Sequence, residues 1–144
     1  MYIDHAMNLK PLLCTALGCF GSLVAGALGG FDLGLKILIL LMAVDYLTGI
    51  LVAGVFHASE KTTTGGLESR AGWKGLCRKG VVLLIVLVAH CVDQTSGSNL
   101  IRDAVVIGYS VNEAISITEN AGLMGVPIPR QLSQAIEVLQ GKEN

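Results

Sequence analysis

The chain has 144 residues, enough for one domain, and a net charge of −1. Hydrophobic residues make up 52% of it and charged residues only 15%, against about 25% charged in ordinary soluble domains. With a mean hydropathy of +0.64, this composition argues against a soluble globular domain. The net charge alone argues neither for nor against a nucleic-acid partner, but a basic loop between two hydrophobic helices is better explained by membrane orientation, so no nucleic acid is expected. The composition predicts a single all-α integral membrane domain over 1–144, with three to four transmembrane helices and a short C-terminal amphipathic helix.

The first expected span is 11–28, PLLCTALGCFGSLVAGAL. A cleaved signal peptide would need a positive leader, but Asp4 stands beside a single Lys10, and Ala16-Leu17-Gly18-Cys19 fits a lipoprotein cleavage site poorly. The segment therefore reads as a retained helix, or alternatively as an amphipathic surface helix, and Pro11 suits the first turn of either. Gly29 to Asp32 makes a tight turn without Lys or Arg.

The second span, 35–56, dominates the chain. Between Lys36 and His57 lie twenty residues whose only member charged at neutral pH is Asp45, and as a helix they extend ~30 Å, the thickness of a bilayer's hydrocarbon core. A carboxylate at mid-bilayer costs at least ~2.5 kcal/mol on insertion scales, so it faces other helices or water and marks a functional position. Gly49, Ala53 and Gly54 form a small-residue surface suited to close helix packing.

The polar loop 57–79 holds Lys61, Arg70, Lys74, Arg78 and Lys79, half of the 10 basic residues in the chain, against Glu60 and Glu68. The positive-inside rule makes this loop cytoplasmic, and with it the N-terminus. The third span is expected over 76–93, with Arg78 and Lys79 snorkelling back to the headgroups. Measured from the cytoplasmic ends of ideal antiparallel helices, His90 then lies about as deep as Asp45. The two form an intramembrane pair on one reading, while on the other His90 is interfacial.

Residues 101–120 read as a fourth span or as a helix lying in the interface. Asn112, Glu113, Ser116, Glu119 and Asn120 recur three to four apart and share a face, while Val105, Ile107, Val111, Ala114 and Ile115 share the other. Gly122 to Pro129 breaks the helix, and the tail 127–140 is amphipathic through Leu132, Ile136 and Leu139. Cys14, Cys19, Cys77 and Cys91 lack the spacing of a zinc site. With no phosphate loop, nucleophile elbow or zincin motif either, no enzyme, metal or cofactor is expected.

Several motifs recur together in a specific order. Asp45-Tyr46-Leu47-Thr48-Gly49 is followed by Ser69, Gly72-Trp73-Lys74-Gly75-Leu76 and Arg78-Lys79. Then come Asn112-Glu113, Ser116-Ile117, Glu119-Asn120, Gly122 and Gly125-Val126-Pro127-Ile128-Pro129. From about Leu38 to Leu139 this resembles the phage-lysis and toxin-secretion holins, from whose pattern Thr118 departs where a larger aliphatic residue is expected.

The resemblance implies a multi-pass protein of the bacterial (host) cytoplasmic membrane that forms a large homo-oligomeric pore. Through it an endolysin or a large toxin would leave the cell, and an antiholin would be a regulating partner. Asp45, Tyr46, Thr48, Asn112, Glu113, Ser116, Glu119 and Asn120 are then the pore-lining or inter-subunit polar residues. Two rivals stand beside this: a small ion-coupled transporter or channel with an Asp45, His90 and Glu113 relay, and an antiholin. The plainest alternative for the polar stripe is that it only bonds helices together in a compact bundle.

Overall fold

The computed structural model describes residues 4–139 and their side chains from Leu9 onward. Among them it has five helices and no strand: α1 (Asp4–Ala27), α2 (Leu33–Gly54), α3 (Ser69–Ser96), α4 (Leu100–Leu123) and α5 (Arg130–Leu139). The chain is an all-α membrane protein. Helices α1, α2 and α3 are each long and apolar enough to cross a bilayer. Helix α4 has the length, but with Arg102, Asp103, Glu113 and Glu119 spread along it, it has no stretch as apolar as those of these three.

The chain divides into two units, one ending at Phe31 and one beginning at Asp32. The first is α1 and its terminating turn. Pro11 lies inside this helix rather than in its first turn, which removes one helical hydrogen bond. The helix stops at Gly29 and Gly30, whose φ values of 87° and 98° need residues without a Cβ. The described side chains from Leu9 to Val24 are exposed.

In the second unit, Asp32 caps α2: its carboxylate accepts the Leu35 amide at 2.9 Å. Leu35, Leu38, Met42 and Val52 are buried along one stripe of α2, and Asp45 and Gly49 occupy the same stripe between Met42 and Val52. These three- and four-residue steps make the seam of a helix that packs along its whole length.

Helix α3 begins at Ser69, seven residues before the expected 76, and runs 28 residues. The stretch from Ser69 to Lys79 contains no proline, so nothing stops the helix from continuing out of the apolar span into its basic flank. Arg70, Trp73, Lys74, Arg78 and Lys79 are therefore helical, and the connecting loop shrinks to 55–68.

Helix α4 is the hub. It packs along α2 and against α3, whereas α2 and α3 barely meet. The α2–α4 pair is parallel: Arg102 meets Asp32 at one end, and Asn120 approaches Gly49 at the other. Helix α3 runs antiparallel to both.

The distribution of residue types is the reverse of a soluble protein. Asp93, Arg102, Glu113 and Asn120 are buried, while Leu40, Leu47, Leu51, Leu84 and Val88 are exposed on the outer faces of α2 and α3. Lipid solvates such an outer face, and polar groups satisfy one another inside.

Candidate functional site

At the middle of the second unit one ammonium bridges two carboxylates. Lys79 Nζ lies 2.8 Å from Asp45 Oδ2 and also pairs with Glu113 Oε2. All three side chains are largely buried, at 14%, 12% and 7% exposure for Lys79, Asp45 and Glu113. Asn120 completes the cluster: its amide donates to Asp45 Oδ1 at 3.2 Å and to Thr48 Oγ1 at 2.9 Å. The Thr48 hydroxyl in turn donates to the Asp45 carbonyl at 3.0 Å. One residue from α3 thus joins acidic groups on α2 and α4, and a second bridge from α4 ties down the remaining Asp45 oxygen. Gly49 faces this cluster: a Cβ there would meet the Asn120 amide nitrogen at 3.9 Å, an ordinary contact distance.

A second polar cluster closes the opposite end of the unit. Arg102 Nη1 bonds Asp32 Oδ2 at 2.6 Å and Asp103 Oδ1 at 3.3 Å. Asp93, at 1% exposure, accepts the α4 amides of Ile101 at 3.2 Å and Arg102 at 2.8 Å, together with the Ser98 hydroxyl. It therefore caps α4 from the preceding helix, where Asn99, the local N-cap residue, supplies no side-chain bond. The Arg102 guanidinium and then the Leu35 amide hold the Asp32 carboxyl below the usual carboxylate range.

Between α2 and α3 opens a half-enclosed cleft of about 740 Å³, floored by α4. Asp45, Tyr46, Asn112, Glu113 and Ser116 line it, and Lys61, Lys74 and Arg78 stand along it. Of the α4 stripe, Glu113 and Asn120 turn inward, Asn112 and Ser116 reach the cleft, and Glu119 is exposed. The stripe is therefore divided between helix packing and an open groove.

One expectation is corrected here. Asp45 does not pair with His90; its cation is Lys79, expected to point to the headgroups. The reason is the true start of α3. Asp45 lies nine residues before Gly54, the end of α2, and Lys79 ten after Ser69, the start of α3, so these two share a height. His90 sits three turns further along, against Gln94, with its Nδ1 enclosed and unpartnered among the described residues. Within one copy Gly54 is exposed with nothing near its Cβ position, whereas Ala53 is buried and Gly34 lies against Val106. The sequence does not single out Arg102, and it marks Asp93 as the end of the third span and not as a cap for α4. Asp32 left a signal, an aspartate directly before an apolar run.

The profile of the bacteriophage holin family matches residues 22–141. The chain belongs to the bacteriophage holin family. A probable holin of Bacillus phage phi105 is 33% identical over 107 residues, covering 74% of this chain and 73% of that protein. An uncharacterised protein of Halalkalibacterium halodurans is 38% identical over 142 residues, 94% of this chain and 99% of its own. One from Listeria monocytogenes is 36% identical over 124 residues, covering 85% and 83%. No solved structure matches the chain. Holins are not an enzyme family, and among the described residues no group of His, Cys, Asp and Glu is placed to hold a metal ion.

Proposed function

We propose that this holin assembles with copies of itself in the cytoplasmic membrane and opens a pore wide enough for a folded cell-wall hydrolase or a large toxin. The observation that carries the reading is the inverted distribution of residues in the α2–α4 unit. Its outer faces suit lipid, and its buried ionisable groups are gathered around Lys79 and α4. Three helices joined through α4 are too few to enclose a protein-sized passage within one copy, so a large hole requires many copies around it. Helix α4 then supplies the wet wall, with Asn112 and Ser116 already at the open cleft.

The parallel course of α2 and α4 supports α4 as a spanning helix. Residues 34–49 of α2 run beside 106–120 of α4, over ~20 Å at ~1.5 Å per residue. A helix lying flat in the interface would cross α2 at a steep angle instead. The basic flank of α3 and the loop before it lie on the cytoplasmic side in this reading.

Expression of the chain alone in bacteria tests the pore. Membrane potential and escape of a folded cytoplasmic reporter protein are followed together. The expected result is abrupt depolarisation with reporter release. Depolarisation with the reporter retained would overturn the large-pore reading in favour of a small ion channel.

A further inference from the structure

The cleft between α2 and α3 has a polarity that the pore does not require. Along α3, Lys74, Arg78, Val81 and Ile85 all line it, spaced as a single stripe along the helix. The stripe carries cations at the loop end and aliphatic side chains further in, over ~16 Å from Lys74 to Ile85 at ~1.5 Å per residue. Ile50 of α2 forms the facing apolar wall.

Lys61 adds a third cation at the mouth. It is placed by a loop closed on itself through the Ser59 amide to the Gly65 carbonyl at 3.0 Å and the Thr62 hydroxyl to the Gly66 carbonyl at 3.0 Å. Gly65, at φ +72, sits so close to the His57 carbonyl that no Cβ fits there. Among the described residues, Lys61, Lys74 and Arg78 make no ion pair, in contrast to Lys79. Orientation in the membrane explains three loop-end cations, but not their convergence on one groove that continues into an apolar slot.

We propose that this cleft binds an anionic phospholipid of the inner leaflet, with its phosphate among Lys61, Lys74 and Arg78 and an acyl chain along Val81, Ile85 and Ile50. Charge complementarity selects the occupant: unpaired cations stand toward the loop end of the cleft and aliphatic side chains further in, the order met by a phospholipid entering headgroup outward from the cytoplasmic side. Basic pockets between membrane helices on the cytoplasmic side bind anionic headgroups in this manner. A volume of about 740 Å³ holds a headgroup and the first part of one chain. Bound there, the lipid would wedge α2 and α3 apart.

The test is lipid retention by the purified full-length chain in mild detergent, read by native mass spectrometry with phosphatidylglycerol and phosphatidylcholine added in equal amounts. It does not depend on the pore, since no leakage is read. The wild-type chain is expected to retain phosphatidylglycerol preferentially. K74Q with R78Q should weaken that retention about 30-fold, taking about fivefold for each cation near the headgroups.

R70Q removes a cation that is exposed on α3 but outside the cleft and should leave the preference intact. The charge-keeping exchange K74R with R78K should also keep it, which separates loss of the site from loss of the fold. Equal retention of both lipids by the wild type would overturn the proposal, as would an equal loss in R70Q. Displacement of the lipid by millimolar inorganic phosphate would show a site for free anions and would also overturn it.

Discussion

Lys79 is the residue on which the interior depends. Replacing it with methionine keeps the length of the side chain but leaves Asp45 and Glu113 enclosed without their cation. Removing one partner of a buried ion pair costs about 3–5 kcal/mol, so Lys79→Met should sharply lower the thermal stability of the purified protein. Asp45→Asn and Glu113→Gln should each be milder, because Lys79 retains one carboxylate in either case. The two together strand the ammonium, so their combined loss should exceed the sum of the single losses in a double-mutant cycle; an additive result would contradict the shared bridge.

Asp32 gives a pH dependence of known sign. Its carboxyl titrates below the 3.8 of a free aspartate, so the folded state favours the charged form. The stabilisation is complete above the unfolded value and is lost as pH falls through the lower, folded one. The side chain is half exposed, which keeps the effect small and sensitive to salt. Thermal unfolding measured from pH 5 down to about 2 should show this loss in the wild type. The same loss should be absent from Asp32→Asn.

At the scale of the element, α4 depends on a cap it does not carry itself. Asp93→Ala would orphan the Ile101 and Arg102 amides, at a cost of about 1 kcal/mol for a lost helix cap. Faster hydrogen exchange at those two amides, with exchange at the Ser116 and Ile117 amides unchanged, is the expected result.

What was legible in the sequence follows from the range of each signal. The apolar runs of α1 and α2 and the alternating faces of α4 are periodic and local, so the helices could be read to within a few residues at most ends. The starts of α1 and α3, each seven residues before the expected position, could not. In α3 hydropathy rises only after Lys79, while the helix obeys backbone continuity and begins ten residues earlier. That displacement of α3 moved the partner of Asp45 from Lys79 to His90. Asp45, Thr48, Glu113 and Asn120 stood out as polar residues in apolar surroundings, but their mutual bonds depend on which helices are neighbours. A chain read one helix at a time would place α3 beside α2, whereas α4 takes that place and α2 and α3 diverge.

At the scale of the whole molecule, the α2–α4 unit turns its charge inward and its aliphatic side chains outward, apart from one half-open cleft. The central claim is that α4 turns its cleft-facing residues to water when copies assemble. Single cysteines at Asn112, Ser116 and Ile107 test it most directly, in a chain whose four native cysteines, all exposed, are replaced by alanine. A charged, membrane-impermeant thiol reagent is applied to cells before and after the reporter escapes. The account predicts modification at Asn112 and Ser116 after escape, with Ile107, exposed on the apolar side of α4, unreactive throughout. Equal modification of all three, or of Ile107 alone, would contradict it.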